Sequence, residues 1–302
     1  MIGKPAHVAI CACTMDRPQG LGALLDGLAR QRFDHVERPR LTLVIADNSK
    51  DGSARAMVED AGQRLGFPTI YAHQPERGYS NARNALLDAA PADATWLAFI
   101  DDDEIPGPAW LDSLLATAKR SSAPLIAGPV RPIFPPDAPP WARQGGFFEL
   151  GPFEEGASAP YVSTNNALVL ASLIRERGWR FHPAFNRHGG EDEHFFRRAM
   201  RGGLVAVTSA DAVVEETIPL ERISRRWLFE RHRRMGRTIA RIDAMNGHSP
   251  ARAVKALGWL AAGTGTCAAG LLGDSVRSIR GLCLVAWSLG SIEELASSRT
   301  DD

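Results

Sequence analysis

Apolar and polar positions alternate on two length scales along the first hundred residues. Short apolar runs, "HVAICAC", "LTLVIA", "TIYAH" and "WLAFI", are bounded by turn residues and read as strands. Between them, the stretches that begin near Gly20, Ser53 and Ser80 carry apolar residues at helical spacing. Strand and helix in alternation predict right-handed βαβ units on a mainly parallel central sheet flanked by helices, an α/β class. "DNSKDGS" after the second run is a turn that offers a Ser or Asp cap to the next helix. From Pro129 to Pro160 the chain is rich in Pro, Gly and aromatics, which predicts a long loop over a site without regular elements. Strand character resumes at "YVSTNNALVL", a helix is expected from about Glu191 to Arg201, and "LVAVTSADAVV" is again extended. Beyond Ile218 the pattern is helical. Residues 1–218 are therefore expected to form one α/β domain and 219–302 a helical extension.

Composition fits folded protein, with 44% hydrophobic and 23% charged residues. The net charge of zero hides a polarity. Residues 1–221 hold 22 Lys and Arg against 28 Asp and Glu, whereas residues 222–302 hold 13 against 7. A basic C-terminal part facing something anionic, or a self-complementary surface, would give these sums. Cys11, Cys13, Cys267 and Cys283 lack zinc spacing, so a reduced cytoplasmic setting is expected. "MIGKPAHVAICAC" reads as a strand rather than a signal peptide. The uncharged run from Ala256 to Gly273 is crowded with Gly and Thr and barely long enough to cross about 30 Å of hydrocarbon. A helix lying on a membrane surface is the expectation there.

The fourth apolar run leads straight into acids, "WLAFIDDDEIP". Carboxylates at the carboxyl end of a strand in an open parallel sheet sit where such sheets bind ligands. Adjacent carboxylates repel one another, so a positive partner is required. Asp101 and Asp103, two apart on extended backbone, point the same way and suit one Mg²⁺ or Mn²⁺ with positions left for phosphate oxygens. A solvated acidic turn capping the helix near Pro108 is the plain alternative. A phosphatase with Asp101 as nucleophile would place the motif on the leading strand and a lysine nearby; here it follows the fourth strand, and only Lys119 and Lys255 come after it.

"ICACTMDRP", "LVIADNSKDGS", "ERGYSNARNALL", "FIDDDEIP" and "GGEDEHFFRRA" occur in the order and spacing of the family 2 glycosyltransferases, and the chain resembles that family over about residues 6–216. The tail "PLERISRRWLFERHRRMGRTIAR" and the helices after it resemble the succinoglycan-biosynthesis type of bacterial polysaccharide glycosyltransferase. The resemblance implies a glycosyltransferase A-type fold and a nucleotide-sugar donor. It places Thr14 and Arg17 beside the donor nucleotide and gives Asp47 a hydrogen bond from the base. The plain reading of Asp47 is a turn residue. It makes Asp101 and Asp103 the metal-holding Asp-x-Asp pair, with Asp102 on the donor side but its side chain turned elsewhere. Arg83, at a helix opening, suits a carboxylate or a phosphate and is a donor-side residue on this reading. Cys13 and Met15 depart from the family pattern, which has small or polar residues there.

Inverting sugar transfer needs a base for the acceptor hydroxyl, and the resemblance assigns Asp192 to it, with Glu191 as the other candidate. Glu191, Asp192 and Glu193 cannot all face one way on a helix; as a group they also suit a helix N-terminus. His188 and His194 flank them without the i, i+4 spacing of a helical zinc pair. Asn165 and Asn166 stand where the family has an asparagine beside the acceptor, although amides also cap turns. Trp141, Phe147 and Phe148 suit either stacking on a sugar or pinning the loop, with Trp141 the acceptor candidate. Arg222 to Arg241 holds eight arginines and one acid. Nothing else points to nucleic acid, so anionic lipid and a lipid-linked acceptor are the expected partners, with Arg225 and Arg226 offered to the donor diphosphate.

The sequence thus predicts a metal-dependent inverting glycosyltransferase that moves a sugar, most simply from a UDP-sugar, to a glycan or lipid-linked oligosaccharide at the inner face of the plasma membrane. The alternative is a silent nucleotide-sugar-binding scaffold of a polysaccharide assembly.

Overall fold

A computed structural model describes residues 6–245, 251–270 and 273–297. It divides into two compact units, one of Met1–Ile133 with Glu149–Thr217, the other of Phe134–Phe148 with Ile218–Asp302. The helical unit takes in a piece of the proline-rich segment as well as the C-terminal part.

The first unit carries strands β1 (His7–Thr14), β2 (Arg40–Asp47), β3 (Thr69–His73), β4 (Trp96–Ile100), β5 (Glu104–Pro106), β6 (Leu125–Ala127), β7 (Val130–Ile133), β8 (Asn166–Leu170), β9 (Ala206–Thr208) and β10 (Val214–Thr217). Its helices are α1 (Pro18–Ala29), α2 (Arg55–Leu65), α3 (Tyr79–Ala89), α4 (Trp110–Ser121), α6 (Ala171–Glu176) and α7 (Glu191–Arg201). Seven strands form the main sheet in the order β3-β2-β1-β4-β8-β6-β9. The pairs among β1 to β4 are parallel, while β8 runs antiparallel to both β4 and β6. Alternation along the strands sorts the core into two layers. Val8, Ile10 and Ala12 face Leu21, Leu24 and Leu28 of α1 and the apolar side of α4. Ala9 and Cys11, with Phe99, face Leu86 of α3 and Phe195 and Phe196 of α7. Burial on both faces explains why these strands read as continuous apolar runs.

The segment from Pro129 to Pro160 corrects the expectation of a structureless loop. Val130–Ile133 is a strand, the edge of a small sheet ordered β5-β10-β7. Pro132 is tolerated there because an edge strand has one unpaired side. Further on, Pro139 and Pro140 open the short helix α5 (Pro140–Gln144), where a missing N–H costs nothing.

The second unit holds α5, α8 (Arg225–Met245), α9 (Ala251–Gly270) and α10 (Ser275–Ser297). Phe134, Trp141, Phe147 and Phe148 pack with Ile223, Trp227, Leu228 and Ile279, so the aromatics of the loop pin it to these helices. Helices α8 and α10 approach closely at Gly236 and Gly290, where a Cβ would collide with the carbonyls of Trp287 and Arg233. Arg233 and Arg237 of α8 both donate to Glu293, and Arg241 donates to Glu294 at 2.7 Å. The arginine-rich helix therefore directs part of its charge to its own partner helix. Among the described residues no helix is long and apolar enough to cross a membrane. Residues 271 and 272 of the uncharged run, and residues 1–5 of the N-terminal stretch, lie outside the described residues.

Candidate active site

The carboxyl ends of β1, β2 and β4 lie side by side, with Thr14 in register with Asp47. Past β4 the four acids diverge. Asp102 is buried and accepts from Thr14 Oγ1 at 2.7 Å and Arg17 Nη1 at 3.1 Å. Arg17 Nη1 also reaches Asp103 Oδ2 at 3.0 Å. Glu104 folds inward to accept the Asp101 amide at 3.1 Å and is 2% exposed. Asp101 accepts from Arg83 Nη2 at 3.3 Å. Asp101 and Asp103 keep about a third of their side chains in solvent, at 36% and 32% exposed. Helix α1 lies close above this turn, since a Cβ on Gly20 would stand 2.8 Å from the Asp102 carbonyl.

Burial sets the electrostatics. It lifts Asp102 to about 6, against the hydrogen bond from Thr14 and the charge of Arg17. Asp101 is also raised by burial, with Arg83 opposing and Asp103 adding to the shift. Glu104 is pushed well above the usual carboxylate range by burial and then by the charge of Asp101. Cys13, at the end of β1, is pushed up to about 12 by burial, which keeps it a thiol despite Arg83 nearby.

Arg83 of α3 lies between two acids. Its Nε donates to Glu191 Oε1 at 2.8 Å, its Nη2 to Asp101, and its Nη1 is buried without a protein partner. Glu191 is 3% exposed and is raised by burial, against the charge of Arg83. Arg83, which in sequence suits a carboxylate or a phosphate, thus meets two carboxylates. Asp192, the next residue, is partly exposed and accepts from Ser163 Oγ at 2.7 Å and from the Glu193 amide at 2.7 Å. Glu193 turns away to Arg197. Asp192 and Glu193 are thus both partly exposed, whereas Glu191 is buried.

Two expected ligand residues carry bonds within the fold. Asp47 is fully buried, and its carboxylate takes the amides of Ser49 at 2.9 Å and Ala54 at 2.8 Å and the Tyr71 hydroxyl at 2.9 Å. Burial would raise it, but these donors outweigh burial and lower it. These bonds shape the loop that follows β2. Asn166 is 1% exposed; it accepts from Trp110 Nε1 at 2.8 Å and donates to the carbonyls of Pro129 and Ala212 at 3.0 and 2.7 Å. Both amide donors are thus spent within the fold. Asn165, beside it, has a buried Oδ1 without a protein partner. Trp141 belongs to the helical unit and packs on Phe147 with ring centroids 6.1 Å apart, as the pinning alternative expected. Arg225 and Arg226 belong to the same unit and are exposed at the start of α8.

Several residues of the site were not singled out by sequence. Ser163, which holds Asp192, sits inside "YVSTNNALVL" with no spacing to mark it. In "GYSNARN", Asn81 exchanges hydrogen bonds with Asn186, and Asn84 does so with the backbone of Phe181. These bonds clip α3 to the segment that leads into α7. The density of Asn and Ser in that motif was the available signal.

Among the described residues, no three or more His, Cys, Asp or Glu side chains converge on one point. Asp101 and Asp103 nevertheless offer hard carboxylate oxygens from one turn, a set that fits Mg²⁺ or Mn²⁺ when a ligand's phosphates complete the shell.

The comparisons agree with this geometry. The model of the glycosyl transferase family 2 matches residues 9–178. The chain belongs to the family 2 glycosyltransferases. This glycosyltransferase is 37% identical over 248 residues to the succinoglycan biosynthesis protein ExoM of Rhizobium meliloti (strain 1021), spanning 82% of this chain and 79% of that one. Its fold is similar to that of the mannosyltransferase PcManGT from Pyrobaculum calidifontis, solved with GDP-Man and Mn²⁺, at a TM-score of 0.56 and 19% identity, covering 100% of this chain and 77% of that one. It also resembles TarS of S. aureus, with a TM-score of 0.53 and 14% identity, covering 95% of this chain but only 55% of the other. TarS 1-349 in complex with UDP-GlcNAc gives 0.53 at 13% identity over 98% and 92% of the two chains. These likenesses establish a glycosyltransferase A-type fold, as the motif order implied.

Proposed function

We propose that this glycosyltransferase transfers a sugar with inversion from a nucleotide-diphosphate donor, a UDP-sugar in the first instance, to a glycan or lipid-linked oligosaccharide in bacterial polysaccharide biosynthesis. One observation carries the reading: Asp101, just past β4 and beside Asp103, and Glu191, at the start of α7 beside Asp192, are joined through a single buried arginine, Arg83. Such a pair of centres answers the two needs of the reaction, a place for the departing diphosphate and a base for the incoming hydroxyl. Asp103 and Asp101 would hold a Mn²⁺ or Mg²⁺ ion, which when bound offsets charge on the leaving diphosphate. Asp192 takes the acceptor's hydroxyl proton while the new glycosidic C–O bond forms and the bond to the diphosphate oxygen breaks. Ser163 holds the Asp192 carboxylate for that task. Asn165, with its unpartnered Oδ1, is placed to receive an acceptor hydroxyl.

The relatives support the setting. The 37% identical protein is named for succinoglycan biosynthesis, and similar folds were solved with UDP-GlcNAc and with GDP-Man and Mn²⁺. Exposed Arg225 and Arg226 on α8, with Val254, Leu257 and Trp259 exposed on α9, support peripheral attachment to an anionic inner membrane face. The test is a panel of UDP-, GDP- and dTDP-sugars with Mn²⁺ and glycan acceptors, read by mass spectrometry. One donor should give a product extended by one sugar and lost with EDTA. Full metal-dependent transfer by Asp103→Asn would refute the assignment.

A further inference from the structure

Arg83 has more partners than a donor ligand needs. It is 9% exposed, and its guanidinium divides between Glu191 and Asp101, which belong to different halves of the site. Glu191 opens α7, where Ser163 holds the next residue, Asp192, and Glu191 itself is held by Arg83. The residue before it, Gly190, is in the left-handed region at φ 88° and offers no side-chain cap. Of the first-turn acids, only Glu191 reaches across to α3. Successive side chains of a helix are about 100° apart, so whatever fixes Glu191 also fixes the direction of Asp192. A lysine cannot reproduce the arrangement, because its single ammonium lacks the planar fork that meets two carboxylates at once.

We propose that Arg83 is a positioning residue that couples the two carboxylate centres: it grips Glu191 and so aims Asp192, and by sharing its guanidinium with Asp101 it makes that aim respond to what occupies the end of β4. The inference rests on the transferase reading for its kinetic consequences but not for its structural ones. An anion or cation at Asp101 redistributes the bonds of one guanidinium, and the buried Nη1, with no protein partner, has a donor left for that rearrangement.

Hydrogen exchange and kinetics on Arg83→Lys, Arg83→Gln, Glu191→Gln and the Arg83→Lys/Glu191→Gln double variant test it. In the free protein, exchange at the amides of Asp192, Glu193 and His194 should rise about tenfold or more in Arg83→Gln. UDP with Mn²⁺ should slow those amides in the wild type and not in Arg83→Lys. Transfer by Arg83→Lys should lose about 10- to 100-fold in kcat, with donor KM changed less than about threefold. The double variant should be no worse than the more impaired single one, since both remove the same bond. Unchanged exchange at α7 overturns the coupling, as does a raised donor KM at full kcat, which would make Arg83 a donor ligand. If the wild type transfers no sugar from any donor, the transferase reading fails, while the exchange data still decide the coupling. Should Arg83→Gln fail to fold, Arg83→Lys carries the exchange measurement.

Discussion

The acids that follow β4 and the acids that open α7 make an instructive pair. Both are runs of adjacent carboxylates that would repel strongly if they stayed together. After β4 the backbone turns, and the four side chains go to separate partners: Asp101 to Arg83, Asp102 to Thr14 and Arg17, Asp103 to Arg17, and Glu104 inward to the Asp101 amide. On α7 the helix itself divides them, sending Glu191 to Arg83, Asp192 to Ser163 and Glu193 to Arg197. Repulsion is thus relieved first by divergence and by arginines, and a metal ion is not the sole source of compensation. Each run also keeps a carboxylate in partial contact with solvent beside buried ones that hold the frame. The two runs are expected to differ in consequence: the helix start acts on a proton, the strand end on diphosphate charge.

Asp192→Asn should break the comparison most severely. Removing a positioned base lowers kcat by roughly 10³-fold, within the span usual for general bases, with donor KM nearly unchanged. Steady-state kinetics at saturating donor checks this, and retained activity would move the role to Glu191. Asp103→Asn should cost less, about 10²-fold in kcat/KM, and should raise the Mn²⁺ concentration needed for half-maximal activity. A titration of Mn²⁺ against rate separates the two variants, since Asp192→Asn should leave that midpoint in place.

His194 sharpens the contrast through stability. It lies on α7 against Phe185, His182 and Arg198, and its pKa is lowered to about 4 by burial and then by the charges of Arg198 and His182. The unfolded chain binds a proton at this residue at its ordinary value near 6.5, and the folded chain does so only near 4. Stability from this group is therefore complete above pH 6.5 and is lost as pH falls through that window. By pH 5 the loss should be on the order of 2 kcal/mol. Denaturant unfolding at pH 7 and pH 5 should show the decrease in the wild type and a smaller one in His194→Gln. An equal decrease in both proteins would assign the pH effect to other groups.

How far the sequence revealed this arrangement depended on range. β1 to β4 and the helices between them were legible because alternation and turn residues act locally. The antiparallel β8 between β4 and β6 was not, since "NALVL" pairs equally well in either direction and long-range register decides. The acids were found from their position at a strand end and a helix start. Their partners were not: Arg83 meets Glu191 across 108 residues, and Ser163 carries no spacing signal. The structural bonds of Asp47 and Asn166 were hidden for a related reason. Both are polar residues at the ends of buried strands, where a ligand contact and a structural bond look identical until donors such as Tyr71 and Trp110 are located.

The smallest expected effect belongs to Glu104, the member of the strand-end run that is both deeply buried and far from an arginine in its bonding. It is held well above the usual carboxylate range by burial and then by the charge of Asp101, a direction that favours the uncharged acid, and it accepts the Asp101 amide. Glutamine has the same shape and supplies the same carbonyl acceptor. Glu104→Gln should therefore change stability by less than about 1 kcal/mol and kcat by less than about threefold. Thermal melting and kinetics together make the measurement decisive. A loss of about tenfold or more in activity at unchanged stability would mean that Glu104 carries a charge the reaction uses, and the strand-end run would then have three acids rather than two facing the diphosphate.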